Sequence, residues 1–331
     1  MRITYQIFLN FVLPVGLMAQ VGGPVVGLVI DPNSRLRPVL GVPGAASLGD
    51  PIAIDGDLQV AAIAPHQDYV IAWRGDAREF TIVRNPLTSP VASQMDGLAG
   101  ASSVVVSPSG SAALVLFATQ SVQVVTGLPD APALAWQADL TSFGTMPSAF
   151  TVSDDGAAVL VGFSGSDRTS IYLITPDAGP RVVASAAQLG GMAFAAHKRD
   201  ALYTDSGSSQ AFIVHDLTGA AVSSVLADSS SGATGFAGIA SSEDGSAYFV
   251  AVTNPNGVLL IDALGGLRGV TPCDCVPTSL ALINRSPIYR ITSASDGLFW
   301  ILDGGTQARI VAVPPVPDAI SPATANRGVN Q

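Results

Sequence analysis

Apolar and small residues alternate over runs of four to eight positions along most of the chain, and clusters of Gly, Pro, Asp and Ser separate the runs. This two-residue period is typical of β-strands, and no sustained helical period of 3.6 residues is present. Residues 103–117 illustrate the pattern, because they read as two apolar strands joined by Ser-Pro-Ser-Gly. Ser side chains bond nearby backbone groups and Gly supplies the positive φ of a tight turn, so this stretch predicts a β-hairpin.

The same hairpin returns at a nearly constant interval. Residues 149–163 and 236–250 repeat it around Ser-Asp-Asp-Gly and Ser-Glu-Asp-Gly. The repeating units, aligned on their first strands, begin 42 to 46 residues apart, near Leu58, Ala101, Pro147, Met192, Phe236 and Thr278. A period in the forties with about four strands per unit is the signature of a propeller blade. We therefore predict an all-β fold, a β-propeller of four-stranded antiparallel blades.

The number of blades depends on the region before these six units. Residues 24–55 contain two or three further strands, over Val25–Ile30, Leu36–Val42 and residues 51–54. A closed ring leaves no long sheet edge exposed, so these strands must belong to it. A seventh, shorter blade is the favoured interpretation. The alternative is a six-bladed ring with the N-terminal strands laid on its closing blade.

The two ends of the chain differ from the repeats. Residues 1–19 resemble a secretory signal peptide, with Arg2, an apolar stretch over 7–18 and the small Ala19 before the cut. The apolar stretch is shorter than the roughly 20 residues of a spanning helix. Residues 316–331 are rich in Pro, Ala and Asn and are predicted to be a disordered tail. The propeller is assigned to residues 20–315, and we expect a secreted or periplasmic protein without membrane insertion after signal removal.

Composition and net charge limit the classes of partner that the protein is expected to bind. The 331 residues are 48% hydrophobic and only 12% charged, against a usual charged share of about 25%, which excludes an ordinary disordered protein. A net charge of −10 argues against a nucleic-acid or anionic-membrane partner, because Lys and Arg drive phosphate binding. The acidic charge is interpreted as a solubility device of a monomer, with cation attraction as the alternative.

The hairpin motif, Ser-x-[Asp/Ser]-Gly before an apolar strand, resembles the repeat of TolB-like, YVTN and WD40-related propellers. The Trp-Asp and Gly-His pairs of true WD40 blades are absent, so the resemblance is to the looser bacterial propellers. A narrower resemblance rests on V-V-G-L-V-I-D-P-N-S-R near the N-terminus and C-D-C-V-P-T-S-L near the C-terminus. These stretches are similar to uncharacterised exported bacterial propellers, and the likeness implies a fold without implying a chemistry.

Cys273 and Cys275 are the two cysteines of the chain. An even count in an exported protein favours a disulfide. Residues i and i+2 of an extended strand lie at the upper edge of bridging geometry, but Pro272 and Pro277 favour a bent segment. A Cys273–Cys275 disulfide is therefore predicted. The alternatives are a pair of free thiols and a metal-binding or redox-active pair. A structural zinc site would need two more ligands.

The chain has three histidines, which are His66, His197 and His215. None has a metal-binding spacing such as His-x-x-x-His. His66 and His197 fall in equivalent turns between first and second strands, which is a weak indication of a shared rim. All three are interpreted as turn or surface residues.

Two pairs of carboxylates lie on hairpin turns, Asp154–Asp155 and Glu243–Asp244. Paired carboxylates can act as acid and base or hold calcium. Because they recur with the blade period, we interpret them as solvated turn residues. Trp73, Trp136 and Trp300 fall on predicted strands and are interpreted as packing between blades. No catalytic, cofactor-binding or metal-binding residue is predicted, and calcium is the one cofactor left open.

These observations favour a non-enzymatic binding or interaction scaffold whose ligand lies over the propeller channel. The loops that join successive blades do not repeat, and they are predicted to form the ligand face, over residues 94–102, 141–148, 188–192, 228–236 and 274–278. Their low charge suits a protein, a peptide or a polysaccharide. The alternative is an enzyme on the same fold, such as a lyase, a lactonase or a glycosidase, with or without a metal.

Overall fold

A computed structural model describes residues 23–54, 58–284, 287–292, 298–305 and 307–315. The predicted signal peptide over residues 1–19 and the predicted tail over residues 316–331 lie outside the described residues. Within them, no helix is long and apolar enough to cross a membrane.

The described residues form seven antiparallel sheets, and within each sheet the strands are hydrogen-bonded in sequence order. The strands are Val25–Ile30, Leu36–Val42 and Ala45–Leu48 (β1–β3, blade 1); Leu58–Ile63, Tyr69–Arg74, Glu79–Arg84 and Val91–Gln94 (β4–β7, blade 2); Ala101–Val106, Ala112–Phe117, Ser121–Thr126 and Ala133–Asp139 (β8–β11, blade 3); Ala149–Val152, Val159–Ser164, Thr169–Thr175 and Ala178–Ala186 (β12–β15, blade 4); Leu189–Phe194, Ala201–Asp205, Gln210–His215 and Val222–Ala227 (β16–β19, blade 5); Thr234–Ser241, Ala247–Asn254, Asn256–Asp262 and Leu267–Pro272 (β20–β23, blade 6); Ala281–Asn284, Ile288–Arg290, Phe299–Asp303 and Arg309–Val313 (β24–β27, blade 7).

The sheets stand around a central channel as the blades of a propeller. First strands of neighbouring blades contact each other from β1 to β20, and β24 returns to contact β1, so the first strands surround the channel. The predicted all-β propeller is confirmed, and seven blades are confirmed over six. Among the described residues, six blades have four strands and blade 1 has three.

One strand of blade 1 differs from its prediction. The third strand covers Ala45–Leu48, whereas residues 51–54 are not a strand. The prediction was wrong because it overlooked a tight hairpin at Pro43–Gly44, where Gly44 has a φ of +94° that other residues rarely adopt. Residues 51–54 instead follow the sheet, and Ile52 donates its N–H to the Leu36 carbonyl at 2.8 Å.

Blade 1 closes the ring against blade 7 by packing and hydrogen bonds, since each strand stays within its own sheet. Val26 and Val29 pack against apolar side chains of blade 7, which include Ile283. The side-chain amide of Asn284 donates to the Val26 carbonyl at 2.7 Å. At the outer edge, Leu48 donates its N–H to the Pro314 carbonyl at 3.2 Å.

The core lies between the blades. In blades 2 to 6 the second strands are buried on both faces, as in β9, where Ala112 to Leu116 are at most 4% exposed. A strand covered on both sides by neighbouring sheets needs a continuous apolar run, and these strands have one. The outermost strands carry several of the exposed apolar side chains, including Val182, Val222 and Val225.

Glycines allow neighbouring first strands to approach closely around the channel. A Cβ atom on Gly27 of β1 would overlap the carbonyl oxygen of Ile283 in β24. A Cβ atom on Gly238 of β20 would lie 3.0 Å from the Cα of Ser279, which precedes β24. Gly27 therefore requires glycine because the neighbouring backbone occupies the space of a side chain, and at Gly238 a side chain would be in tight contact with the backbone of Ser279.

Replacing Gly27 by alanine should weaken ring closure. The added methyl group must push β1 away from β24, and overpacking of this kind costs about 1–3 kcal/mol. We expect Gly27→Ala to lower the free energy of unfolding by about that amount in urea titrations followed by circular dichroism.

The matched control is Gly179→Ala on the outer strand β15, where a Cβ atom has no neighbour within 4 Å. Its free energy of unfolding should stay within about 0.5 kcal/mol of the wild type. Equal stability of Gly27→Ala and wild type would contradict the assigned contact between blades 1 and 7.

Candidate functional site

The turns that join first to second strands lie together at one end of the channel. In three blades the turn begins with a buried serine and closes with a glycine whose φ is between +66° and +80°. Each serine Oγ accepts the backbone N–H of an alanine five residues later at 2.9–3.1 Å, in the pairs Ser107–Ala112, Ser153–Ala158 and Ser242–Ala247. The repeated serine is therefore a turn-forming residue.

Asp154 connects three blades at this end. One carboxylate oxygen accepts the Ser109 N–H of blade 3 at 2.6 Å, and the other accepts the His197 N–H of blade 5 at 2.8 Å. Its neighbour Asp155 accepts hydrogen bonds within its own turn, from the Ser153 hydroxyl at 2.7 Å. Asp155 also accepts the Arg199 Nε–H of blade 5 at 3.0 Å. This carboxylate pair stabilises the contacts between blades 3, 4 and 5.

Asp244 stays within its own turn. Its carboxylate accepts hydrogen bonds from the Ser242 hydroxyl at 2.6 Å, and from the backbone N–H and the hydroxyl of Ser246 at 3.0 and 2.7 Å. The Ser242 and Ser246 hydrogen bonds lower the pKa of Asp244 to about 2. For Asp155, partial burial raises the pKa, but the hydrogen bonds from Ser153, Ala157 and Arg199 outweigh it and lower the pKa below its usual value.

Glu243 makes a contact across the channel mouth. Its carboxylate lies 3.0 Å from His66 Nε2. His66 belongs to blade 2 and Glu243 to blade 6, and these blades are not neighbours in the ring. The pair therefore spans the mouth of the channel.

The other two histidines face different carboxylates. His197 Nδ1 lies 3.9 Å from Asp154, and His215 Nδ1 lies 3.1 Å from Asp200 within blade 5. No group of three or more His, Cys, Asp or Glu residues that could hold a metal ion occurs in the described part of the chain.

A cavity of about 480 Å³ occupies the end of the channel next to these turns. Its wall comes from blades 2 to 7, and most of it is apolar, with Ile63, Val104, Phe150, Phe194 and Ile239 as examples. Most of the first strands that line it contribute their carboxyl-terminal halves, which lead into the turns. This volume and lining are typical of small-molecule sites, which measure about 300–1,000 Å³.

The position of the cavity differs from the predicted ligand face. Of the five loops predicted to bind, only the one over residues 188–192 reaches the cavity wall, through Met192. The prediction relied on the idea that non-repeating loops carry function. First strands and the turns that follow them form most of this wall.

A second depression of about 920 Å³ lies between blades 6 and 7. Phe249, Leu260 and Pro287 line it, together with Arg268 and Asp244. Glu243 lines both this depression and the channel cavity. The two spaces are therefore adjacent.

Arg290, at the end of β25, is a functional candidate that the sequence analysis did not single out. It lines the channel cavity, where Glu243 is the other charged lining residue. Its Nε atom is buried and has no hydrogen-bond partner among the described residues. Burial lowers the pKa of the Arg290 guanidinium, which nevertheless stays protonated at neutral pH. The sequence signal for Arg290 was weak, because the second strands β5 and β17 also end in a charged residue, Arg74 and Asp205.

Cys273 and Cys275 are bonded to each other, and their Cα atoms are 5.1 Å apart. They lie in the connection between β23 and β24, where they pack beside the apolar cluster shared by blades 6 and 7. The Cys273 N–H donates to the Asn256 carbonyl at 3.0 Å, which keeps the bent segment against β22.

The tryptophans pack within and between blades. Trp73 is 4% exposed and meets Phe80 edge to face, with ring centroids 5.7 Å apart. Trp136 of β11 donates its Nε1–H to the Gly156 carbonyl in the first turn of blade 4 at 2.7 Å. Trp300 is packed against the apolar cluster of blades 6 and 7.

No protein-family model matches the chain, and no curated protein sequence matches it. Several solved structures are similar in fold. A functionally unknown protein from Desulfotomaculum acetoxidans DSM 771 is 13% identical, with a TM-score of 0.54 over 87% of this chain and 98% of that protein. Hydrazine synthase from Kuenenia stuttgartiensis is 12% identical, with a TM-score of 0.50 over 93% of this chain and 100% of that chain.

At such identities the similarity shows the propeller fold alone. The resemblance to TolB-like, YVTN and WD40-related repeats has no support from a sequence match. The site must therefore be interpreted from its own residues.

The turn carboxylates should make the stability of the fold depend on pH in the acid range. The pKa of Asp244 is lower in the folded protein than its ordinary value of 3.8. The ionised form therefore stabilises the fold above about pH 4, and this contribution is lost as the pH falls toward 2. We expect the melting temperature of Asp244→Asn to fall less than that of wild type between pH 5 and pH 2.5.

The control is Asp177→Asn on the exposed turn after β14, whose melting temperature should fall as the wild type does. Parallel curves for wild type and Asp244→Asn would show that the hydrogen bonds to Asp244 do not contribute.

The disulfide predicts a specific chemical result. Native protein denatured without reductant should show no free thiol with Ellman's reagent, and two after reduction. The bridge closes a very small loop, so the double variant Cys273→Ser/Cys275→Ser should change the free energy of unfolding by less than about 2 kcal/mol. Detection of two thiols before reduction would contradict the bridge.

Proposed function

We propose that the protein is an exported, monomeric and non-enzymatic binding module that holds its ligand in the cavity at the turn end of the channel. The observation that carries the proposal is the cavity itself, which six blades line with mostly apolar side chains. A concave apolar site with few polar groups is the usual form of a ligand pocket.

The structural environment of this cavity supports binding by a largely preformed site. The turns around it are tied to each other by hydrogen bonds between blades, including those of Asp154 with Ser109 and His197. A pocket with a fixed wall loses little conformational entropy when a ligand enters. The His66–Glu243 pair lies at the same mouth, so a ligand that enters there passes beside it.

The size of the cavity refines the predicted class of ligand. A volume of about 480 Å³ accepts a small molecule or the end of a peptide, but not a folded protein domain. A larger partner of the kind expected from the sequence, such as a polysaccharide, would have to lie over the mouth and insert only one group.

An apolar fluorescent probe can test the proposal. N-phenyl-1-naphthylamine is uncharged at neutral pH, and its emission rises when it leaves water. We expect saturable binding with about one probe per chain. Ala193→Phe, which fills space at the cavity wall, should weaken binding at least tenfold by removing the volume that the probe occupies.

The matched control is Ala178→Phe, the same change on the exposed outer strand β15, and its probe affinity should equal that of wild type. Absence of saturable binding to wild type would contradict the proposed function. Equal affinities of Ala193→Phe and wild type would place the probe outside the cavity and would contradict it as well.

A further inference from the structure

The wall of the channel cavity holds a cation that pairs with no carboxylate of the described residues. Arg290 is the one positively charged residue among those that line the cavity, and its buried Nε atom has no hydrogen-bond partner in the described part of the chain. Among the described residues, no ion pair of Arg290 is present.

The strand alternation of β25 places Arg290 and Tyr289 on opposite faces of the sheet of blade 7. The preceding residue, Tyr289, donates its hydroxyl to the Ser241 carbonyl of blade 6 at 2.9 Å. Successive side chains of a strand point to opposite faces, so Arg290 points away from that contact. In the register of the sheet it lies opposite Ala281, which also lines the cavity.

Glu243 is the acidic residue that lines the same cavity, and it is already engaged. Its carboxylate lies 3.0 Å from His66 Nε2 at the mouth. An unpaired cation in apolar surroundings is unfavourable, whereas a carboxylate can bind a guanidinium through two charge-assisted hydrogen bonds. A second anionic group on the ligand would face either the apolar wall or the Glu243 carboxylate, and both contacts are unfavourable. The cavity therefore suits a ligand with a single carboxylate.

We infer that the cavity selects a small amphiphilic monocarboxylate, with its carboxylate on Arg290 and its apolar body against the wall formed by the first strands. This inference rests on the proposed function of the cavity as a binding site. It adds the chemical class of the ligand and the residue that recognises it.

Isothermal titration calorimetry with matched probes tests the selection. Octanoate and 1-octanol share an apolar chain and differ in charge, and octylammonium supplies the opposite charge. We expect octanoate to bind about tenfold to hundredfold more tightly than 1-octanol, which is the range of a hydrogen bond to a charged group. Octylammonium should bind more weakly than 1-octanol.

Two variants test whether Arg290 is responsible. Arg290→Gln should lower octanoate affinity to the level of 1-octanol, and Arg290→Lys should retain part of the preference because it keeps the charge but loses the planar fork. The matched control is Arg168→Gln on the surface of blade 4, where the guanidinium donates to Ser185. It should bind octanoate as the wild type does.

The carboxylate could belong to an alkanoate or to the C-terminus of an apolar peptide. N-acetyl-Leu-Leu as the free acid and as the amide separates these sources. Tighter binding of the free acid than of octanoate assigns the site to peptide ends, and the reverse assigns it to alkanoates. Equal binding of the acid and the amide, together with no preference for octanoate, contradicts the inference.

Equal affinities of wild type for octanoate and 1-octanol would overturn the inference without any variant, even if Arg290→Gln fails to fold. A preference for octanoate that survives in folded Arg290→Gln would overturn the role of Arg290. If the apolar dye binds but no carboxylate is preferred, the inference fails and the proposed function stands. If neither dye nor carboxylate binds, both fail.

Discussion

Every blade of this protein depends on its two neighbours to cover the faces of its sheet. Most second strands carry apolar runs, as in Ala112–Phe117, and such a strand is stable only when sheets pack against both sides. In a row of blades the two end sheets would each expose one apolar face. The contact between blade 1 and blade 7 removes both exposed faces at once, so the closure at Gly27, Ile283 and Asn284 governs the stability of the whole ring.

The same packing determines the character of the channel. First strands must approach closely, which favours glycine, alanine and valine on them and leaves space at the centre. At the turn end, polar residues serve mainly to hold neighbouring blades in place, as Asp154 does between Ser109 and His197. Arg290 lies at the end of a buried strand and lines the cavity, and its Nε has no hydrogen-bond partner among the described residues. A residue that is unfavourable for folding and faces a cavity is a candidate for function.

Much of the fold could be predicted from the sequence because its signals are local and repeated. The Ser-x-x-Gly turn and the two-residue apolar period act within one hairpin, and their recurrence reveals the blade. Where the N-terminal strands depart from the repeat, the prediction was weaker, and the hairpin at Pro43–Gly44 was missed. The candidate site could not be found in this way. The cavity combines residues from six blades, and the proximity of His66 to Glu243, 177 positions apart, leaves no trace in local spacing. Arg290 was visible only as a charge at the end of a second strand, which Arg74 and Asp205 share.

The most direct test of the account is a crystal structure of the protein with octanoate bound. The account predicts electron density for one octanoate in the channel cavity, with its carboxylate oxygens within hydrogen-bonding distance, about 2.7–2.9 Å, of the Arg290 guanidinium. Its chain should contact the first strands of several blades. Octanoate bound only elsewhere on the surface, or a channel that remains closed to the ligand at saturating concentration, would contradict the claim that this cavity is the binding site.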